Sequence, residues 1–279
     1  MPKLLAKAAR PWALRLLPPF PAVANRVLAI VSDENVAAND VSAIIKIDPT
    51  FTAEILRVAN SALFGFRREI ATVDHAVTVL GLNRVKTMAT YIALNAMVKP
   101  VLKVDELRRI WVHSLVTALL TEELARASNS CHDIAYTTGM LHNLGGLGLM
   151  AAFPEEYKRM LDVSTECGFD LILTERDLFE IDHCAAGAYL AEEWNFPDAM
   201  IEAIATHHFP ARKGPGLPNL VRVAWRAADA LGFAAFPAEA GPPFDELIAM
   251  IPTNRNSWLS DGLDAAKGEI AERLKGLPK

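Results

Sequence analysis

Five of the seven histidines in this chain interrupt stretches that otherwise read as apolar helix faces. His113 shares a stripe with Ile110, Thr117, Leu120 and Leu124, so its ring points inward. His142 and Asn143 sit side by side in the glycine-rich, apolar run Gly139-Met140-Leu141-His142-Asn143-Leu144-Gly145-Gly146. His183 follows Asp182 at the start of a helix, and His207-His208 closes another. Asp229 shares an inner stripe with Val221, Ala224, Trp225 and Ala228. Imidazole nitrogens and carboxylates ligate borderline or hard divalent metals such as Fe, Mn, Zn or Ni. Helices that each donate one or two ligands into a bundle interior build such a site. A histidine next to an amide in apolar surroundings costs free energy unless both find partners, and a metal ion is one such partner. The candidate ligand set is His113, His142, Asn143, His183, His207, His208 and Asp229. The simpler alternative makes each histidine a core residue bonded to a backbone carbonyl; five together strain it.

The elements that must position these residues are helical, because period-2 alternation is nowhere sustained. Asp40 reads as an N-cap, and Asp48-Pro49 ends a short helix. Phe51, Ile55, Val58 and Ala62 share one helix face, with Gly65 closing it. A helix over 74–80 stops at Gly81, and Asn83 caps the next, which Pro100 ends. The second half opens with a long helix over 105–127. Helices over 134–150, 154–166, 171–179 and 182–194 follow, with Gly168 as a stop. Pro197 fits the first position of a helix running to His208, and a further helix spans 219–231. Two helices finish the chain.

Composition narrows the function classes. The chain has 279 residues, 52% hydrophobic and 22% charged, which suits a packed globular protein. A net charge of −5 argues against a broad nucleic-acid face. Cys131, Cys167 and Cys184 lack a C-x-x-C pair and read as reduced thiols. No apolar run is long enough to span a membrane, and no signal-peptide pattern stands out. Residues 1–17 carry Lys3, Lys7, Arg10 and Arg15 without an acid and read as a solvated basic arm.

The order His113, His142-Asn143, Asp229 resembles the H…HD…D pattern of the HD phosphohydrolase superfamily. His183 and His207-His208 resemble the extra ligands of its HD-GYP branch. The first half adds Leu17-Pro18-Pro19-Phe20-Pro21, Asp48-Pro49, Leu56-Arg57-Val58-Ala59-Asn60-Ser61-Ala62-Leu63-Phe64-Gly65 and Val79-Leu80-Gly81-Leu82. Together these resemble the HDOD (HD-related output domain) family over about residues 17–231. The resemblance implies an all-α fold of two helical subdomains, over 18–100 and 101–279, the C-terminal one HD-domain-like. It implies a bacterial, cytoplasmic signal-transduction module that works through contacts with signalling proteins.

Three departures from the HD enzymes point away from catalysis. Asn143 stands where the HD pair has its Asp, Gly146 where HD-GYP enzymes have a phosphate-contacting Lys, and Phe209-Pro210 where their GYP signature begins. Paired cations need bridging negative charge, and an amide offers none. The expectation is therefore a non-catalytic output module holding at most one divalent metal ion. The competing expectations are a divalent-metal-dependent phosphohydrolase, or a cleft for a small phosphate or nucleotide ligand. Among the remaining motifs, Asn60-Ser61 reads as a buried hydrogen-bond knot. Arg67-Arg68, Arg84 and Lys86 read as solvated charge, and Cys184 as a small buried thiol.

Overall fold

The computed structural model describes residues 12–16, 27, 37–60, 70–100, 102–130, 132–194, 196–236, 241–252 and 256–275. Every regular element among them is helical, as the periodicity predicts. Helices α1 (Ala38–Lys46) and α2 (Pro49–Ala59) pack on α3 (Val73–Val98). Gly81 adopts φ 74°, ψ 164° inside α3, so α3 is two helices meeting end to end, and the first stops at Gly81 as expected. Asn60 ties the end of α2 to Ile70: its Nδ2 donates to Leu56 O and Ile70 O, and its Oδ1 accepts from Ile70 N. This is the expected knot, but at the surface, since Asn60 is exposed. Ser61, Gly65 and Arg67-Arg68 lie outside the described residues.

The hub is α4 (Asp105–Ser128), whose buried stripe includes Ile110, His113, Thr117, Leu120 and Leu124. Against it lie α5 (His132–Leu141) and α11 (Leu217–Ala230). The single helix expected over 134–150 is two: α5 ends at Leu141 and α6 (Leu144–Ala152) begins beyond the His142-Asn143 pair. Asn143 leaves the helical well at φ −102°, ψ 27°. Periodicity could not show this break, because its cause is tertiary. Gly139 lets α5 press on α4, where a Cβ would stand 2.8 Å from Ala118 Cα. Gly145 lets α6 press on α9 (His183–Glu193), where a Cβ would strike the His183 carbonyl oxygen and lie 2.5 Å from Gly187 N. The chain must turn between these two docking surfaces, and His142 sits in the turn.

The remaining elements brace this centre. They are α7 (Pro154–Cys167), α8 (Leu171–Phe179), α10 (Asp198–Thr206), α12 (Phe244–Ala249) and α13 (Leu263–Lys275). Gly168 ends α7 at φ 67°, as expected for a left-handed cap. Pro197 is the N-cap of α10 and not its first helical residue. The helix stops at Thr206, which leaves His207 and His208 just past its end. The stretch 12–16 is only partly solvated: Ala13 and Leu14 are buried, and Trp12, though exposed, meets Phe153 edge-on at 5.2 Å. Ser257 Oγ donates to buried Glu123 at 2.6 Å and clips the C-terminal helices to α4.

Two glycine substitutions separate close packing from helix propensity. Gly145→Ala should cost roughly 1–3 kcal/mol or more, because both contacts are backbone and cannot yield. Gly268→Ala, in α13 with nothing within 4 Å of its Cβ, should gain about 0.5–1 kcal/mol. Urea unfolding of both variants checks the pair; equal effects would remove the packing argument.

Candidate metal centre

The break between α5 and α6, the start of α9 and the end of α10 deliver four histidines to one place, and α4 adds a fifth. Ring centroids run His113–His142 5.5 Å, His142–His207 4.9 Å, His207–His183 5.2 Å, His183–His208 4.8 Å and His207–His208 4.5 Å. His113, His142, His183 and His207 are at most 1% exposed. The expected cluster therefore assembles from all five candidate histidines.

Three of the rings have one nitrogen committed by the backbone. His113 Nδ1 lies 2.8 Å from Phe233 O, His142 Nδ1 2.7 Å from Gly139 O, and His207 Nδ1 2.8 Å from Ile204 O. A carbonyl only accepts, so each of these nitrogens carries the proton and Nε2 keeps its lone pair. Burial, then neighbouring imidazoles, holds His142 and His207 well below the usual histidine range. His113 is pushed down to about 4 by burial. Neutral rings with fixed tautomers are the state that ligates a cation. The two readings of these residues, core histidine and ligand, are thus the two edges of the same ring.

His183 differs. Its Nδ1 meets Glu175 Oε2 at 2.6 Å, its backbone N–H donates to the same oxygen at 2.8 Å, and Tyr157 Oη donates to Oε1 at 2.7 Å. Burial works against charge on His183, yet the Glu175 carboxylate and the neighbouring Cys184 together hold the imidazole well above the usual range. The turn itself is fixed by Asp182, which caps α9 through Ala185 N at 2.8 Å and pairs with Arg176 at 2.6 Å. At the other side Arg222 donates to Thr206 O and Oγ1, bracing the end of α10 beside His207. Nothing in the histidine pattern pointed to Glu175, Tyr157 or Arg222. A signal existed for Glu175: Leu171, Glu175 and Phe179 share one face of α8, and a carboxylate on an inner stripe needs a partner.

The nitrogens that converge are Nε2 of His183, His207 and His208, at 3.3 Å and 2.9 Å from His183. Two nitrogens about 2.1 Å from a shared divalent cation stand about 3–3.4 Å apart, so this trio fits one ion. Cys184 belongs to the same close group of possible donors. Its Sγ lies 3.8 Å from His207 Nδ1, the edge already committed to Ile204, so it stands aside from the converging atoms. Deeper in, His113 Nε2 and Asn143 Oδ1 are buried with no hydrogen-bond partner among the described residues. Asn143 Oδ1 folds back over Gly146, where a Cβ would collide with it. The side-chain vacancy at Gly146 and the amide at Asn143 are thus one arrangement. Asp229 Oδ1 reaches only His113 Nδ1, at 3.6 Å, and that edge already donates to Phe233. Trp225, one turn earlier on α11, is the residue that covers His208 at 4.5 Å.

These features define a class: an all-helical protein with a buried imidazole centre. A family model described as "HDOD domain" matches residues 17–210, and the chain belongs to that family. An uncharacterized protein from Treponema pallidum (strain Nichols) is 25% identical over 194 residues, which are 69% of this chain and 37% of that one. The chain thus spans little more than a third of that curated relative. An HDOD domain protein of unknown function from Geobacter sulfurreducens superposes with a TM-score of 0.75 at 20% identity, covering 94% of each chain. A protein from Shewanella amazonensis SB2B, named as a candidate phosphohydrolase, gives 0.67 at 25% identity over 95% of this chain and 96% of that one.

Asp229 and His113 carry a pH signature of opposite sign. Burial pushes the Asp229 carboxyl up to about 7, so the folded chain holds a proton that the unfolded chain loses near pH 4. Stability from this group falls as pH rises from about 4 to about 7. His113, pushed down to about 4, contributes the reverse: stability is lost as pH falls from about 6.5 toward 4. In chelator-treated protein, Asp229→Asn should gain stability over the parent progressively across that window, with the gap widest above pH 7. Urea unfolding from pH 4 to 8 measures it; a constant gap would place Asp229 in water.

Proposed function

We propose that this chain is a bacterial, cytoplasmic signal-transduction output module that acts through protein contacts and not by turnover. We take its fold to divide near residue 100, with the imidazole centre in the C-terminal, HD-like part. Its centre holds one divalent cation on His183, His207 and His208, with His142, His113 and Asn143 deeper in and Asp229 beside His113. The observation that carries this reading is the charge at the centre: the tightest donor group among the described residues contains no carboxylate. A thiol and three imidazoles do not offset the repulsion of paired cations. The donor set suits Fe, Zn or Ni better than Mn, which prefers oxygen ligands. When bound, such a cation would supply Lewis acidity. The residues present fix its surroundings: backbone carbonyls hold three ring tautomers, Trp225 covers one face, and Arg222 braces the turn that carries two ligands. Val163, Phe169, Leu173 and Leu178 on α7, α8 and their link are exposed apolar side chains, in keeping with a protein that docks on others.

A second reading, a divalent-metal-dependent phosphohydrolase, draws on the five assembled histidines and on the name of the Shewanella amazonensis relative. Metal content and turnover separate the two. The expected result is no more than one equivalent of metal after purification without chelator, lost in His208→Ala. No metal-dependent cleavage of generic phosphate esters should accompany it. Asn143→Asp should tighten metal binding by restoring a charged oxygen. Two tightly held ions, or ester cleavage abolished by His142→Ala, would give the enzyme reading the field.

A further inference from the structure

We propose that Glu175 is a positioning residue which, through His183, gives the cation site the negative charge that Asn143 no longer provides. The inference rests on the one-cation reading above. Among the five rings, three turn Nδ1 to an uncharged carbonyl, and His183 alone is backed by a carboxylate in hydrogen-bond contact. Glu175 is fully buried. A carboxylate there is costly unless it is both hydrogen-bonded and charge-balanced. Three donors supply the hydrogen bonds: Tyr157 Oη, His183 N and His183 Nδ1. Without metal the protonated His183 ring supplies the balance; a cation on the opposite nitrogen takes the place of that ring's Nε2 proton and supplies it instead.

The supports are rigid. Tyr157 stacks on Phe179 of α8 at 6.0 Å, which fixes the helix that carries Glu175. The Arg176–Asp182 pair and the Asp182 cap hold the backbone of His183 toward the carboxylate. The alternatives on the page deliver less. Asn143 Oδ1 is uncharged and folded over Gly146, and Asp229 stands at an edge of His113 that already donates elsewhere. A carboxylate that accepts from a ligating imidazole fixes the ring's tautomer and strengthens it as a donor. Removing such a partner costs about 10–100-fold in metal affinity.

The test uses cobalt(II) as the probe, titrated into the full chain against a competing chelator, with the visible d–d spectrum as a second readout. The parent should bind one equivalent. Glu175→Gln, matched in shape, should weaken binding about 10–100-fold and alter the spectrum. Its helix content should stay that of the parent without metal. Adding Asn143→Asp to Glu175→Gln should recover part of the loss, because what is missing is charge. If Glu175→Gln does not fold, Tyr157→Phe carries the test through a several-fold weakening. A folded Glu175→Gln, or failing that a Tyr157→Phe, that binds cobalt as the parent does overturns this inference and leaves the one-cation reading standing. Loss in Glu175→Gln with no recovery from Asn143→Asp overturns the charge argument. A parent that binds no cobalt overturns both.

Discussion

A histidine sunk in an apolar interior has two ring nitrogens and room for few partners. Desolvation drives such a ring neutral, so one nitrogen must donate and the other must accept or ligate. Here the donors are settled by the backbone. Gly139, Ile204 and Phe233 offer carbonyls to His142, His207 and His113, and in two of the three the carbonyl lies only three residues back along the chain. This local bond costs little, because the acceptor comes from a helix end where carbonyls lack intrahelical partners. Its consequence is global. Lone pairs remain on Nε2, and the nearest Nε2 atoms face one another at 2.9 and 3.3 Å. Without a proton or a cation between them, such lone pairs repel.

Bringing the rings that close requires helices closer than side chains normally allow. Gly139 against Ala118, and Gly145 against His183 and Gly187, provide that approach. The glycine-rich character of this segment is therefore a packing requirement, and the turn at His142-Asn143 is its by-product. Two straight docking surfaces on α4 and α9 cannot be served by one continuous helix.

The sequence made a good deal of this legible, and the omissions share a cause. The bounds of α8 and the stop at Gly168 follow from local chemistry, an N-cap Asp170 and a left-handed glycine, and they match the pattern. The five histidines were visible because imidazoles on apolar stripes are rare and conspicuous. The break in 134–150 was not, since both halves keep an apolar composition and the interruption comes from partners far along the chain. The end of α10 at Thr206 was missed for a related reason. Arg222 accepts the task of satisfying its last carbonyl from another helix, and no local signal marks that. Glu175 lay in plain view on an inner stripe but belonged to no motif.

The amide at 143 gains its meaning from Gly146. With no side chain at 146, the Asn143 oxygen turns back over the first turn of α6 and is buried without a hydrogen-bond partner among the described residues. A bulky cationic side chain at 146 would push it out of that place. The uncharged residues at 143 and 146 are then not independent of each other. Together they keep one corner near neutral, which is the cheaper state for a buried pocket. The buried carboxylate of the cluster lies elsewhere, where Glu175 holds His183 through a fully buried bond. The interior thus combines a histidine group whose spacing suits one cation with an uncharged corner beside it.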